Sequence, residues 1–143
     1  MLSRREYSRW ELTLRLTRSG YSETEVAATL ERLIEQGCQD DQRFGEMMVR
    51  TRVAQGYGPL RIRAELKTHR VSTTEIQVLL DAAEVDWQEL ARRMLRRRYG
   101  QSAPTDHRQR LRRAQFLLRR GFDAATVRSV TRVEVDVSIS DEE

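Results

Sequence analysis

Cysteine and histidine are nearly absent from this sequence, which has one cysteine and two histidines among its 143 residues. A single cysteine cannot form a disulfide within the chain, so Cys38 is expected to be a structural or idle thiol. His69 and His107 lie too far from it and from each other in sequence to form a close-spaced zinc cluster. The sequence therefore predicts neither a disulfide framework nor a metal site.

Long apolar runs are also missing. No segment approaches the roughly 20 apolar residues that span a bilayer, and the opening residues MLSRREYSRW contain no apolar stretch that could serve as a signal peptide. We therefore predict a cytoplasmic protein that does not contact membranes.

The sequence lacks the recognisable parts of common active sites. It contains no phosphate-binding glycine loop and no nucleophile elbow, and neither histidine is paired in sequence with a plausible nucleophile or metal ligand. We predict a protein that is not an enzyme and needs no cofactor.

Charge is abundant, and its distribution is uneven. Residues 1–86 carry 13 basic and 14 acidic side chains, residues 87–132 carry 13 and 3, and residues 133–143 carry none and 5. All basic residues except Lys67 are arginine, which suits bidentate contacts to phosphate or carboxylate. A GC-rich genome explains that preference equally well, but it does not explain the clustering. The predicted nucleic-acid-binding residues are Arg92, Arg93, Arg96, Arg97, Arg98, Arg108, Arg110, Arg112 and Arg113.

Three segments of the chain resemble one another. LTRSGYSETEV at 16–26, LKTHRVSTTEI at 66–76 and LLRRGFDAATV at 117–127 align without gaps, at spacings of 50 and 51 residues. In each copy a helix is predicted to end, an apolar residue follows, and a new helix begins. The chain is therefore predicted to be a triplicate of helical units.

Capping residues support this repeat. The predicted helix ends are Gly20, Arg70 and Gly121, and the predicted N-caps of the following helices are Ser22, Ser72 and Asp123. Glu25 and Glu75 complete capping boxes in the first two copies, and Asp86 with Glu89 predicts another. Asp40 or Asp41 is expected to cap one more helix.

These signals predict an all-α protein built from tandem three-helix units in a curved, elongated, solenoid-like array. The predicted units are 1–39, 40–85 and 86–132, followed by an acidic, disordered tail at 133–143. The alternation of apolar and acidic residues in the tail also fits a lone strand, but the chain offers it no partner strand. The middle helix of the first unit begins near Ser8, so that unit is expected to lack its leading helix.

The stretch GYGPLRIRAEL at 56–66 combines a bend with a helix start. Gly56 and Gly58 permit a tight turn, and Pro59 suits the first turn of a helix. Arg61 and Arg63 lie about 200° apart on that helix at roughly 100° per residue, so they flank a stripe rather than share a face. On the residues alone, two interpretations of these arginines stay open.

In one interpretation, Arg61 and Arg63 contact a partner. In the other, Arg61 pairs with Glu65 one turn later and Arg63 is solvated. Two interpretations also stay open for Tyr57, which could contact a partner or pack within the protein. Packing is equally plausible because Tyr7 occupies the equivalent place in the first unit.

GYGPLRIRAEL, the DDQRF before it, the DW at 86–87 and FLLRRGF at 116–122 resemble the RecX family of recombination regulators in their order and spacing. The resemblance covers nearly the whole chain. It implies an all-helical protein that binds in the groove of a RecA filament on DNA and inhibits filament extension, ATP hydrolysis, strand exchange and SOS coprotease activity. It implies partner-binding residues in one segment: Gly56, Tyr57, Gly58, Pro59, Arg61, Arg63 and Glu65.

The chain departs from the family pattern at two places. The family commonly has a further helix before the segment matching RREYSRWEL, and it more often has glycine where this chain has Arg70. A left-handed Arg70 would cost about 1 kcal/mol.

We expect a monomer whose partners are the RecA filament and, weakly and without sequence preference, single-stranded or duplex DNA. The alternative is a plain DNA-binding helical protein; within 92–113, Tyr99 stands alone and marks no stacking platform for single strands.

Overall fold

The computed structural model describes residues 5–134. Its regular structure in that range consists of helices: α1 (Arg9–Arg18), α2 (Glu23–Glu35), α3 (Asp41–Ala54), α4 (Pro59–Thr68), α5 (Thr73–Ala82), α6 (Trp87–Tyr99), α7 (His107–Arg119) and α8 (Ala124–Thr131). No strand occurs between residues 5 and 134. The predicted all-α repeat fold is confirmed, while most of the predicted tail, residues 135–143, lies outside the described residues.

Serine and aspartate side chains cap the N-termini of the helices at the positions that the repeat predicts. The Ser22 hydroxyl accepts a hydrogen bond from the Glu25 N–H at 3.2 Å, and the Glu25 carboxylate accepts one from the Ser22 N–H at 3.0 Å, which completes the capping box. Ser72 and Asp123 are the N-caps of α5 and α8, as predicted. The capping box predicted with Glu75 is incomplete in the described residues: the Ser72 hydroxyl accepts from the Glu75 N–H at 3.1 Å, but the Glu75 carboxylate does not return to the Ser72 N–H. Helix α1 begins after its N-cap Ser8, so a helix begins near Ser8, as predicted.

The capping box predicted at Asp86 forms only one of its two bonds in the described residues. The Asp86 carboxylate accepts a bond from the Glu89 N–H at 3.1 Å. The Glu89 carboxylate does not return to the cap; it binds the Arg96 guanidinium at 3.1 Å, because the two side chains meet two turns apart on α6. At the start of α3, Asp40 is the capping residue, accepting from the Gln42 N–H at 2.8 Å.

A residue with positive φ follows each of the eight helices. Five are glycines, Gly20, Gly37, Gly56, Gly100 and Gly121, and three are not, Arg70, Glu84 and Arg132. A left-handed conformation favours glycine because it brings Cβ close to the following carbonyl. Arg70 has φ of 61°, so it is left-handed and carries the cost of about 1 kcal/mol expected for that conformation. Its guanidinium stacks 3.8 Å from the centre of the Trp10 ring, which offsets part of the strain.

The described residues form two compact bodies that do not coincide with the three sequence repeats. One body runs to residue 49 and resumes at 65–83, and the other comprises 50–64 and 84 onward. Helices α3 and α4 each pass from one body into the other, so the middle repeat is divided between them. The repeat boundaries drawn from the sequence stay a prediction.

The first body has an apolar cluster from α1, α2 and the residues before them. Its buried members are Tyr7, Leu12, Val26 and Leu30. Nearby in the same body, Phe44 is fully buried, and its ring centre lies 4.6 Å from that of His69 with the ring planes tilted by 48°. The His69 Nδ1 lies 2.7 Å from the Ser8 hydroxyl. Ser8 is fully buried, so this bond satisfies a hydroxyl that cannot reach water.

The core of the second body joins α6, α7 and α8. Its buried residues are Leu90, Ala91, Met94, Leu95, Ala114, Leu117, Leu118, Phe122, Val127 and Val133. Val133, which the sequence assigns to the acidic tail, is buried here because it is apolar and lies directly after α8. The apolar position after each aligned helix end is buried at Val71 and Phe122, but Tyr21 is 50% exposed.

Candidate partner-binding loop and arginine-rich surface

The candidate loop joins α3 to α4 and lies in the second body. Pro59 is the first residue of α4, as predicted. Gly56 has φ of 84°, and a Cβ added to it would lie 2.2 Å from the Met94 sulfur. The bend therefore requires glycine at position 56 for two reasons: the backbone conformation and the space taken by a core side chain of α6.

Gly58 fits against the turn between α7 and α8. Its N–H donates to the Arg120 carbonyl at 2.8 Å, and the Leu60 N–H donates to the Gly121 carbonyl at 2.9 Å. A Cβ added to Gly58 would lie 2.5 Å from the backbone of Gly121, and one added to Gly121 would lie 2.5 Å from the Arg61 Cβ. The two glycines thus allow the loop and the turn to approach each other backbone to backbone.

Tyr57 projects between two arginines. The Arg61 guanidinium carbon lies 4.1 Å from the centre of the Tyr57 ring and that of Arg120 lies 4.0 Å from it. Arg120 also donates from Nε to the Gly56 carbonyl at 3.3 Å and from a terminal nitrogen to the Gln55 carbonyl. Arg120 therefore holds the loop through both its ring contact and its hydrogen bonds.

The structure gives the predicted partner-binding residues different environments. Gly56, Gly58 and Pro59 are buried, Tyr57, Arg63 and Glu65 are half-buried, and Arg61 is exposed. Arg61 and Arg63 flank the fully buried Ile62, as their spacing predicts. The three buried residues shape the loop, whereas a partner could reach Arg61 and the exposed parts of its half-buried neighbours. Their contact with a partner stays a prediction.

The predicted nucleic-acid-binding arginines lie on α6 and α7. Seven are exposed, Arg92, Arg93, Arg96, Arg97, Arg98, Arg108 and Arg112, and two are half-buried, Arg110 and Arg113. Glu89 lies 3.1 Å from Arg96, in the last turn of α6, and 3.6 Å from Arg92, so it offsets part of the positive charge of α6.

Tyr99 is not isolated in the folded chain. Its ring meets the Phe116 ring edge to face, with centres 5.9 Å apart and planes at 90°. The Arg98 guanidinium lies 5.7 Å from the Phe116 ring and that of Arg113 lies 4.9 Å from the Tyr99 ring. Sequence reasoning missed this cluster because Phe116 comes from the next helix. It also missed Arg120, although FLLRRGF contains it.

Two classes of site receive no support in the part of the chain that the structure describes. No group of three or more metal-ligating side chains gathers among residues 5–134. Within the same range, every helix is too short or too polar to cross a membrane.

Family models match the chain in three consecutive parts. The first three-helix domain of RecX matches residues 1–33, the second matches 40–80 and the third matches 84–131. The chain belongs to the RecX family. The second match contains all of α3 and α4, and the third contains all of α6, α7 and α8. The candidate loop therefore lies in the second RecX domain and the arginine-rich surface in the third.

Curated relatives carry the name regulatory protein RecX. The relative from Stenotrophomonas maltophilia is 46% identical over 136 residues, which cover 95% of this chain and 83% of the relative. The relative from Halorhodospira halophila is 46% identical over 129 residues, which cover 90% of this chain and 80% of the relative. These relatives are named as regulators, which agrees with a chain that is itself regulatory.

Solved structures share the fold at low sequence identity. A crystal structure of regulatory protein RecX has a TM-score of 0.75 and 23% identity; the match covers 92% of this chain and 66% of that one. The crystal structure of RecX from Lactobacillus salivarius also has a TM-score of 0.75, with 20% identity and coverage of 92% and 87%. This chain spans just under two thirds of the first of these structures.

Proposed function

We propose that the chain binds the RecA filament on DNA and modulates it, chiefly by inhibiting filament extension, ATP hydrolysis, strand exchange and SOS coprotease activity. The observation that carries the proposal is the match of three successive RecX domains, supported by relatives named as regulators. The role is one of binding, and the chain itself catalyses no step. We also propose that it acts as a monomer, because one chain holds both candidate surfaces. We propose the cytoplasm as its location.

The loop at 55–58 supports a contact with protein. Arg120 and the close approach of Gly58 to Gly121 restrain the loop, so little conformational entropy remains to be lost on binding. Arg61 is exposed in the first turn of α4, directly after this restrained loop. A guanidinium suits bidentate bonds to the carboxylates of an acidic protein groove.

The arginines of α6 and α7 support a contact with the DNA inside the filament. Exposed arginines on consecutive helices provide phosphate contacts that do not depend on base sequence. These arginines also support the second candidate function, a DNA-binding helical protein that needs no RecA. The two functions differ in what limits inhibition: a filament modulator acts on RecA subunits, whereas a DNA binder must cover the DNA.

The distinguishing experiment is a titration of the chain into RecA that is hydrolysing ATP on single-stranded DNA. A modulator should suppress hydrolysis at concentrations well below that of RecA, because one blocked end or one lattice break affects many subunits. Doubling the DNA at constant RecA should leave the inhibitory concentration nearly unchanged. A bacterial single-strand binding protein, which competes for DNA, serves as the comparison.

The opposite pattern would contradict the proposal. If inhibition begins only when the chain saturates the DNA, and if the inhibitory concentration doubles when the DNA doubles, the DNA-binding function replaces filament modulation.

A further inference from the structure

A pocket of about 270 Å³ lies between the end of α6 and the start of α7. Its lining residues are Tyr99, Gln109, Arg112 and Arg113. The volume is just below the roughly 300 Å³ at which pockets for drug-sized ligands begin. The pocket therefore suits a small ligand, of the size of one base with its phosphate.

The polar lining of this pocket is dominated by hydrogen-bond donors. Arg112 and Arg113 contribute guanidinium groups, and no carboxylate belongs to the lining. The side-chain oxygen of Gln109 accepts a bond from the Thr105 N–H at 2.9 Å, which leaves its amide nitrogen for a further acceptor. Such a lining fits an anion rather than a cation.

Tyr99 adds an aromatic wall to this cationic pocket. Its ring is positioned by the edge-to-face contact with Phe116 and by the Arg113 guanidinium, which itself donates to the Ser102 carbonyl at 3.1 Å. Arg113 is thus anchored over the ring, 4.9 Å from its centre, while Arg112 is exposed at the pocket. An aromatic ring beside arginines matches a ligand that joins a planar base to a phosphate.

We propose that this pocket binds one nucleotide of a single-stranded nucleic acid, with its base against Tyr99 and its phosphate on Arg112 and Arg113. The Gln109 amide nitrogen donates to the base or the phosphate. Exposed arginines near the lining residues in sequence, Arg97, Arg98 and Arg108, hold neighbouring phosphates of the strand. A base in a duplex is stacked between its neighbours and cannot enter, so the pocket distinguishes single strands from duplexes.

This inference rests on the DNA contact of the proposed function but not on the contact with RecA. It can therefore be tested with DNA and the full-length chain alone. The probes are a fluorescein-labelled oligothymidylate, an abasic phosphodiester strand of the same length and a duplex of the same length, each measured by fluorescence anisotropy.

The central variant is Tyr99→Leu, with Tyr21→Leu as the matched control because Tyr21 is an exposed tyrosine of the other body. Tyr99→Leu should weaken binding of oligothymidylate about tenfold, within the range of one base stacked on an aromatic ring. It should leave binding of the abasic strand and the duplex unchanged, because neither offers a free base. Tyr21→Leu should change none of the three.

A second variant keeps the test valid if Tyr99→Leu disturbs the core of α6 and α7. Arg112→Gln removes only an exposed charge; it should weaken both oligothymidylate and the abasic strand and lower the salt slope by about 0.7. Arg128→Gln is its control, since Arg128 is an exposed arginine of the same body. Equal losses from Arg112→Gln and Arg128→Gln would overturn the phosphate contact at the pocket.

Three results would overturn the proposal as a whole. In the first, a folded Tyr99→Leu variant binds all three probes more weakly by the same factor. In the second, that variant binds oligothymidylate as tightly as wild type does. In the third, thymidine 5′-phosphate binds as tightly as the oligonucleotide. The last result would assign the pocket to a free nucleotide. Inhibition of RecA by the same variants, measured separately, reports on the proposed function and does not enter this decision.

Discussion

Replacing Gly58 with alanine tests whether the glycines of GYGPLRIRAEL serve packing within the second body. Gly58 does not have a positive φ, so the substitution introduces no left-handed strain. Its added Cβ would lie 2.5 Å from backbone atoms of Gly121 and of Phe122. Backbone atoms cannot rotate away as a flexible side chain can, so the loop must separate from the turn between α7 and α8.

The size of the effect follows from what that separation removes. Forcing an extra methyl group into a packed site costs about 1–3 kcal/mol. Separation also weakens the bonds of the Gly58 N–H to the Arg120 carbonyl and the Leu60 N–H to the Gly121 carbonyl, each contributing about 1 kcal/mol. Moving the loop away from the turn relieves the steric overlap but lengthens these two hydrogen bonds. The steric cost and the hydrogen-bond cost therefore add only in part. We expect Gly58→Ala to lower the free energy of unfolding by about 2–4 kcal/mol.

Urea unfolding followed by Trp87 fluorescence measures this change, because Trp87 packs against the core of the second body. The substitution Trp10→Phe in every variant removes the other tryptophan signal. The control is Gly100→Ala in the same body, where the new Cβ meets no atom within 4 Å and only the positive φ is strained, at about 1 kcal/mol. A loss for Gly58→Ala below that of Gly100→Ala would refute the packing argument.

Three further substitutions test single contacts. Arg70→Gly should be about 1 kcal/mol more stable to urea than Arg70→Ala, because both lose the stack on Trp10 but only glycine relieves the positive φ; the reverse order would contradict this. Ser8→Ala should cost about 1–3 kcal/mol, because it removes the cap of α1 and leaves His69 Nδ1 without its partner; a neutral result in thermal unfolding would contradict it. Hydrogen bonds to the capping serine hold the pKa of Glu25 below its usual value, so Glu25→Gln should lower the free energy of unfolding at neutral pH. The difference from wild type should disappear as the pH falls through that lowered pKa. A difference that grows in acid would contradict this prediction.

Local signals account for the parts of the fold that the sequence predicted well. An N-cap such as Ser22 or Asp123 depends on residues within one helical turn, so a single sequence is enough to find it. The alignment of Arg70 with two glycines predicted a helix end for the same reason, and the structure gives that residue a left-handed conformation. Glu89 was assigned to a capping box because its spacing allows one, but an arginine two turns later offered its carboxylate a charged partner.

Contacts between distant segments account for what the sequence did not predict. The stacking of Arg120 on Tyr57 and the edge-to-face contact of Phe116 with Tyr99 depend on which helices pack together, and composition or periodicity carries no such information. The division of the middle repeat between two bodies has the same origin, because sequence repeats follow the chain whereas compact bodies follow packing. Val133 was placed in the tail because its neighbours are acidic, yet its own side chain is apolar and buried.

The most direct test of filament modulation compares two properties of one variant. Arg61→Ala combined with Arg63→Ala should relieve inhibition of RecA ATP hydrolysis at least tenfold while leaving the affinity for naked DNA within about twofold of wild type, because no predicted DNA contact is removed. Arg15→Ala is the matched control, since it removes an exposed arginine stacked on Tyr7, the equivalent of Tyr57, and should change neither property. If the double variant loses DNA affinity and RecA inhibition in equal proportion, the account is wrong and the chain acts by binding DNA.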